Sequence, residues 1–444
     1  MKIFNIIIIL CALNLIVSIT PVSGKDAPAA GEKKEGQKPA QEIMKTDKLK
    51  NILTNVKTEG SVDIRSLSHN NFTDRLNTNP TTGFSDDLIE QTLSRIVIGA
   101  SGDFNKNISG KILLVKNDRL YGTAVQTVNG VLGLVKLENA YLDIKGKSGL
   151  NIRIGRQSLG EEGDMVMYFG SKNNTALSVT SADAINVDFL LAKLNVSILY
   201  SKLNENAAFF TDTDMVGFNV QSSELIPLTD AKAYFYNRTI QNPSSAILDS
   251  VGVLGFTARI KPSNNFLCKL EGAMNLGSGY TGNAVAFNAS YNSELSPGKI
   301  NAGFDMAFAK GDNQSTAKNE GFVDIASDKR YGEIIGKNIA GITNLEVEGL
   351  NADITPSKFA DSKLKVGLAA FIFKIKTPPA GVPLTTDKTL GNEIDIKLSY
   401  EISENASFDL SYGVFLTARN SYYKALDGNT DNIEQVLATL NLKF

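Results

Sequence analysis

The sequence contains no tryptophan, one histidine, His69, and two cysteines, Cys11 and Cys268. Cys11 lies in an N-terminal apolar run that we expect to be removed, so one thiol remains, and neither an internal disulfide nor a cysteine-rich metal site can form. A single histidine also argues against a Ser–His catalytic pair. We therefore expect no metal, no cofactor and no catalytic triad.

The chain also lacks a charge excess. It carries 45 Lys and Arg against 47 Asp and Glu, which gives no indication of a nucleic-acid partner. The sequence shows no zinc-ligand spacing, phosphate-binding glycine loop or dinucleotide motif. Hydrolysis by Glu393 and Asp395 remains an alternative, but residues two apart in a strand more often share a solvated wall. We predict that the protein is not an enzyme.

Long apolar runs are missing except at the N-terminus. Lys2 is followed by an apolar stretch from Ile6 to Val17, and small residues follow as far as Gly24. This pattern predicts a cleaved signal peptide over 1–24. A membrane anchor is the alternative, although the stretch is shorter than the roughly 20 residues of a spanning helix. Any later passage through a membrane would have to use strands.

Residues 25–58 have little apolar content at first. The segment 25–41 is rich in Ala, Pro, Lys, Glu and Gly, a composition that cannot offset the entropy of ordering. Residues 42–57 have apolar residues near helical spacing, which indicates a short amphipathic helix. We interpret 25–58 as a disordered periplasmic tether and 59–444 as the folded domain.

From residue 59 onward, apolar and polar residues alternate in segments of about ten residues. In the segment from Ser407 to Leu416, for example, Phe408, Tyr412 and Leu416 share one face while Ser and Asp occupy the other. A soluble β-sandwich, with its apolar faces inward, is the alternative. The segments are nearer the 9–11 residues of a tilted membrane-crossing strand than the 5–6 of soluble sheets, which favours a membrane barrel.

The connections between these segments alternate between short and long without exception. This is typical of barrels with short periplasmic turns and longer extracellular loops. We predict an all-β, transmembrane, antiparallel up-and-down barrel of about 18 strands, with 16 as the alternative. The strand within 342–354 has the poorest pattern. The final strand ends in Phe444, which we interpret as a C-terminal signal for the barrel insertion machinery.

Two stretches resemble a known family. Residues 138–160 contain a strand, a tight turn and a second strand that ends in Gly155-Arg156-Gln157, and residues 391–416 begin with Gly391, Glu393 and Asp395. Both stretches resemble the alginate-export type of outer-membrane porin, and Arg65 and Arg95 stand where that family tends to carry arginines. The resemblance implies a porin barrel. It does not imply that alginate is carried.

A pore selects solutes by its width and by the charges that line it. Face parity predicts a largely basic wall on the early strands, and a largely acidic wall interspersed with lysine on the later ones. The basic residues are Arg65, Arg95, Lys111 and Arg153. The later residues are Asp305, Glu346, Glu348, Glu393, Asp395, Lys397 and Asp409. We expect a transverse field between the walls; cross-strand ion pairing that only stabilises neighbours is the alternative.

Arg156 is harder to place, because simple alternation from Ile152 and Ile154 puts it on the lipid side. An unpaired guanidinium there would cost about 2–4 kcal/mol at mid-bilayer and almost nothing at the interface. It should therefore lie at the outer rim, or be turned inward by a bulge at Gly155. We expect it to serve at the pore mouth.

The loop 158–182 is the predicted constriction. It carries an apolar run that includes Tyr168 and Phe169, which would not be expected in a water-exposed loop; the alternative is that this run extends a strand at the rim. Glu161, Glu162 and Asp164 could bind a divalent cation, although such a trio is more often solvated. The longest loop, about 310–341, is polar and is predicted to be a flexible surface cap.

The predicted function is a porin-type channel in the bacterial outer membrane, for passive diffusion or export of small hydrophilic or anionic solutes, with oligosaccharides included. The expected partners are outer-membrane lipid, the solutes and the insertion machinery, with no nucleic acid, and the barrel would work as a monomer or a trimer. The alternative is a structural or adhesive surface barrel without transport.

Overall fold

A computed structural model describes most of the chain from residue 53 onward. The described residues are 53–71, 89–121, 135–204, 212–241, 249–277, 279–313, 316–357, 361, 363–378, 388–418 and 431–444. They belong to one compact unit, Lys50–Phe444. The predicted signal peptide, the tether up to residue 52 and Cys11 lie outside the described residues. No helix among the described residues is long and apolar enough to cross a membrane.

The chain folds as an antiparallel barrel of eighteen strands, which confirms the predicted fold class and strand number. The strands, with a two-strand hairpin (β6, β7) inserted after the fifth, are β1 (Thr54–Asn70), β2 (Ile89–Asn105), β3 (Ile108–Tyr121), β4 (Lys136–Lys145), β5 (Asn151–Gln157), β6 (Leu159–Gly160), β7 (Tyr168–Phe169), β8 (Ala182–Leu191), β9 (Leu194–Asn204), β10 (Thr213–Ile226), β11 (Thr229–Ile240), β12 (Asp249–Ser263), β13 (Phe266–Leu276), β14 (Asn283–Leu295), β15 (Gly298–Ala309), β16 (Leu345–Pro356), β17 (Leu364–Ile375), β18 (Thr389–Ser403), β19 (Ala406–Thr417) and β20 (Ile433–Lys443).

The barrel closes where β20 pairs with β1. Gly60 and Phe444 exchange backbone hydrogen bonds of 2.8 and 2.9 Å, and the phenyl ring of Phe444 lies over Gly60, where a Cβ would collide with it. The Phe444 side chain is 70% exposed. Its role as an insertion signal stays a prediction.

Alternation sets the two faces of the wall, because successive side chains of a strand point to opposite sides. In β19, Phe408, Tyr412 and Leu416 are exposed on the outer face, while Ser411 and Phe415 are buried on the inner one. The same outer exposure of large apolar side chains recurs around the barrel. Examples are Ile98, Ile198, Phe218, Phe256, Leu350, Leu368 and Ile396. An apolar belt around a closed barrel is a membrane-facing surface, so the barrel is an outer-membrane barrel.

The eight short connections are those expected from the sequence, from Asn105–Ile108 to Ser403–Ala406. The strand ends that they join all lie at one end of the barrel, the short-turn end, and the strand ends that flank the long connections lie at the other, the long-loop end. The strand with the poorest sequence pattern is β16.

Two long loops fold into the barrel at the long-loop end. The first inner loop is residues 158–181, between β5 and β8, and the second inner loop is residues 310–344, between β15 and β16. Met165 and Val166 of the first, and Phe322 and Ile334 of the second, are buried in a hydrophobic cluster with inward side chains of the wall such as Phe373.

The prediction that residues 310–341 form a surface cap is therefore wrong. The loop is polar on average, but Phe322, Ile325, Ile334 and Ile335 are spaced along it and are all buried inside the barrel. A few large apolar side chains are enough to hold a loop against an apolar inner wall. The prediction failed because it relied on the average composition of the loop, which is polar despite these residues.

Candidate functional site

The two inner loops pair with each other across the lumen. The Tyr168 N–H donates to the Ala326 carbonyl at 2.8 Å, the Ala326 N–H donates to the Val166 carbonyl at 3.0 Å, and the Asp328 N–H donates to the Asp164 carbonyl at 3.0 Å. These bonds join the loops into one unit, which lies among the inward side chains of the barrel.

The first inner loop is attached to opposite walls. On the side of β1 and β2, Arg65 donates to Asn173 Oδ1 at 2.7 Å and to the Asn174 carbonyl, and Arg95 donates to the Lys172 carbonyl at 3.1 Å. On the side of β11 to β13, Asp164 lies 3.5 Å from Lys232 and 3.6 Å from Lys269, and Glu161 pairs with Arg259. The structure thus places this loop inside the lumen. That it forms the narrowest point stays a prediction.

The predicted basic residues other than Arg156 face inward, but three of them are neutralised locally. Arg95 pairs with Asp63 at 2.9 Å, Lys111 with Glu59 at 2.6 Å, and Arg153 with Asp143 at 2.7 Å. This is the cross-strand pairing that was the alternative to a transverse field. Arg65 differs, because it forms no ion pair with any acid in the described part of the chain.

The predicted acidic wall divides into three groups. Asp305 and Asp409 face the lumen, where Asp305 accepts amide hydrogens from Asn288 and Asn351 at 2.9 and 2.8 Å, and Asp409 accepts one from Asn441 at 2.8 Å. The second group, Glu393 and Asp395, faces inward but lies under the second inner loop. Both residues are 0% exposed, so they are not part of a solvated wall.

The third group, Glu346 and Glu348, was assigned to the wrong face. In β16, Val347 is fully buried against the inner loops and Glu348 is exposed, so the glutamates point outward. Glu346 pairs with Lys374 at 3.3 Å and Lys376 at 2.7 Å, and Glu348 pairs with Lys374 at 3.6 Å. The error arose because the inner face of β16 packs against protein and is therefore apolar, like the lipid face.

Arg156 also does not line the lumen. The pairing of β5 with β8 has no register shift from Asn151 to Gln157, so the strand keeps its alternation through Gly155, and Arg156 stays on the outer face. It bonds Ser181 Oγ at 2.8 Å and Asp183 Oδ2 at 3.4 Å. The expected rim position is the one observed; the inward turn is not.

Two charged cavities adjoin the inner loops, with volumes of about 650 and 570 Å³. Six residues line both: Glu162, Asn173, Glu333, Lys337, Lys397 and Ser399. The larger cavity reaches Asp305 and Arg330, and the smaller one reaches Arg65 and Asp409. Glu162 of the predicted trio therefore faces the lumen, while Tyr168 lines the smaller cavity and Phe169 is half-buried beside the cluster.

Sequence reasoning missed Arg330 and Lys337, because it placed their loop outside the barrel. Lys337 donates to the Asn173 carbonyl at 2.9 Å and has no ion pair with a described acid. Burial lowers the pKa of Lys337 to about 8, against an opposing effect of Glu333. Burial alone would raise the pKa of Glu333, but Lys397 and Lys337 lower it overall. The adjacent Ile334 and Ile335 were the available signal that this segment is buried.

No group of three or more His, Cys, Asp or Glu residues in the described ranges is arranged to hold a metal ion. Asp164 of the acidic trio lies beside Lys232 and Lys269, and Glu161 pairs with Arg259. Two of the three carboxylates therefore have cationic side chains as their partners.

Solved structures share this architecture. The chain matches OccK2 (OpdF) of Pseudomonas aeruginosa with a TM-score of 0.56 and 10% identity, over 88% of this chain and 98% of that one. It matches OccAB1 of Acinetobacter baumannii at 0.55 and 9%, over 88% and 98%, and a BenF-like porin of Pseudomonas fluorescens at 0.52 and 9%, over 88% and 100%.

The fold is that of a bacterial outer-membrane porin. At these identities the similarity shows the porin fold and not a solute. No family model and no curated protein matches the sequence. The resemblance to alginate-export porins is therefore not confirmed beyond the porin barrel itself.

Proposed function

We propose that this porin barrel is a passive channel for small hydrophilic solutes, and that anionic solutes pass most readily. The observation that carries the proposal is the lining of the two cavities beside the inner loops. Arg65 and Lys337 face these cavities, and neither forms an ion pair with an acid among the described residues.

The donor geometry supports a preference for anions. Arg65 uses three of its N–H groups on Thr439, Asn173 and Asn174, and Lys337 uses one on a carbonyl of the same loop. A guanidinium has five donors and an ammonium three, so both keep unused donors, and Lys337 is still mostly charged at pH 7. Since Arg95, Lys111 and Arg153 are ion-paired, Arg65 and Lys337 carry positive charge at the cavities that no ion pair compensates.

The test is the reversal potential of the purified protein in planar bilayers under a KCl gradient. We expect anion selectivity in the wild type, and a shift toward cation selectivity in Arg65→Ala with Lys337→Met. Arg153→Ala with Asp143→Ala is the matched control, because it removes a lumen cation together with the carboxylate that already cancels its charge. Equal shifts in the control and the test variant would overturn the assignment to Arg65 and Lys337.

The alternative is a structural or adhesive barrel without transport. The tightly packed inner loops favour it, because they occupy much of the lumen at the long-loop end. Liposome swelling with sugars of graded size separates the two functions. Permeation of monosaccharides supports a channel, and the largest sugar admitted would show whether oligosaccharides are carried. No swelling with any sugar, and no conductance, would favour the structural role.

A further inference from the structure

We propose that Glu393 and Asp395 form a clasp that fixes the second inner loop in the lumen and thereby sets the width of the channel. The proposal rests on the channel function proposed above. It assigns these two residues a positioning role, since neither lines either of the cavities beside the loops.

The clasp consists of two carboxylates that take three consecutive backbone N–H groups. Glu393 Oε1 accepts from Ile334 at 2.6 Å, and its Oε2 accepts from Ile335 at 3.1 Å. Asp395 Oδ2 accepts from Glu333 at 3.1 Å. Residues two apart in a strand share a face, so the Glu-x-Asp spacing of β18 presents both carboxylates to one segment of the loop.

Burial makes these bonds mutually necessary. A buried carboxylate without partners is costly, and so is a buried N–H. Both carboxylates are 0% exposed, and Ile334 and Ile335 are buried as well. If the segment moved away, each side would be left unsatisfied unless water entered.

Neighbouring strands hold the same segment. Glu333 bonds Lys397 at 2.6 Å and Ser411 Oγ at 2.8 Å, and its carbonyl accepts from Gln435 at 2.6 Å. Asn338 bonds Gln435 at 3.0 Å. The segment is thus attached to β18, β19 and β20.

Two glycines make the close approach geometrically permissible. Gly332 has a φ of +80°, a left-handed conformation that favours glycine, and a Cβ there would collide with the Glu393 carboxylate. A Cβ on Gly413 of β19 would collide with Asp395 and crowd Ile334. Any larger residue at either position would separate the loop from the clasp.

The clasp holds one end of a segment that spans the lumen. At the other end, Lys329 pairs with Glu271 of β13 at 2.5 Å. Arg330 lies between these two attachments, and Lys337 follows the clasp in the chain. Both residues line the larger cavity. Release at the clasp would let this segment move, which would widen the passage and displace both cations.

Single-channel conductance tests the clasp. We expect Glu393→Ala to raise conductance about two-fold or more and to weaken anion selectivity, because a pore selects by width and lining charge. Glu393→Gln should have a smaller effect, since one acceptor oxygen remains. Asp188→Asn is the matched control: it changes an inward carboxylate of β8 that accepts from Ser197 Oγ at 2.6 Å and lines neither cavity, and it should leave conductance near the wild-type value.

Trypsin added from outside provides a readout that does not need channel activity. Loss of the clasp should raise cleavage at Lys329 and Arg330 by about tenfold or more, because the buried N–H groups of Ile334 and Ile335 lose their acceptors and the segment opens more often. Heat-modifiable gel mobility checks that the barrel itself is folded. Faster cleavage in Glu393→Ala with unchanged conductance would overturn the role in channel width, and unchanged cleavage would overturn the clasp. A wild type without conductance would instead contradict the proposed function.

Discussion

The two halves of this barrel use the same strands to build different interiors. Toward the short-turn end, inward positions are polar, as with Asp353 and Asp409, and the lumen is lined by hydrogen-bonded amides and carboxylates. Toward the long-loop end, the inward positions Val347, Phe373 and Phe415 are fully buried against the inner loops. One half has a polar, solvated lumen, and the other has an apolar packed interior like the core of a soluble protein. The inward face of a single strand therefore changes from polar to apolar along its length.

The largest expected effect comes from a substitution in the packed half of the barrel, toward the long-loop end. Phe373→Ala should lower the free energy of unfolding by about 3–5 kcal/mol, because it leaves a cavity in a fully buried cluster. Urea unfolding in detergent micelles measures this. Asp353→Asn, on the polar inner wall of the neighbouring strand, is the control and should change stability by far less. Similar losses in the two variants would mean that the halves do not differ.

The next effect concerns the join between the packed and the polar regions. Lys329→Ala leaves Glu271, which is 2% exposed, with Lys269 as its remaining cationic partner at 3.1 Å. We expect a loss of about 1–3 kcal/mol, the penalty of an incompletely satisfied buried group. Urea unfolding of the double variant with Glu271→Gln should recover part of the loss. A double variant that is less stable than Lys329→Ala would contradict this account.

A pH-dependent effect tests the charged cavities. The pKa of Lys337 is lowered by burial to about 8, so the side chain is mostly charged at pH 7 and loses its charge as the pH rises through about 8. Anion selectivity should therefore fall between pH 7 and 9, measured by the reversal potential. Lys337→Met should have lower anion selectivity at pH 7 and no step over this range. A step of equal size in that variant would assign the titration to another group.

The smallest expected effect concerns side chains on the outer face of the barrel wall, in contrast to those that face the lumen. Glu346→Gln with Glu348→Gln should leave ion selectivity unchanged, because both side chains point away from the lumen. Their exposed pairs with Lys374 and Lys376 should contribute less than about 1 kcal/mol. Reversal potential and urea unfolding provide the two measurements. A selectivity change as large as that of Arg65→Ala would show that these two glutamates face the lumen after all.

The comparison also explains what could be predicted from sequence. Alternation and turn residues identify strands and connections, because both are local. Face assignment was right for Asp305 and Asp409, where the inner wall is wet. It was wrong for Glu346, because an apolar row such as Leu345 and Val347 has the same pattern against lipid as against a packed loop. Whether lipid or a loop covers those apolar side chains depends on contacts with residues that are distant in sequence.

The same reason explains the partial result for Glu393 and Asp395. Their inward direction was predictable from parity, but their burial was not, since the loop that covers them starts about 80 residues earlier in the chain. The placement of Lys337 depends on the same loop. The local sequence pattern thus determines whether a side chain points inward or outward. The long loop that folds into the barrel determines whether an inward side chain contacts water or protein.

The joined inner loops also have a mechanical consequence. They connect Arg65 and Arg95 on one side of the ring to Asp164's lysine partners on another, and they tie Glu271 to the strand that carries Glu393. Such cross-members resist flattening of the ring under lateral pressure from the bilayer. Any change that loosens them to admit larger molecules should therefore also make the cylinder more deformable, so that aperture and stiffness cannot be adjusted independently.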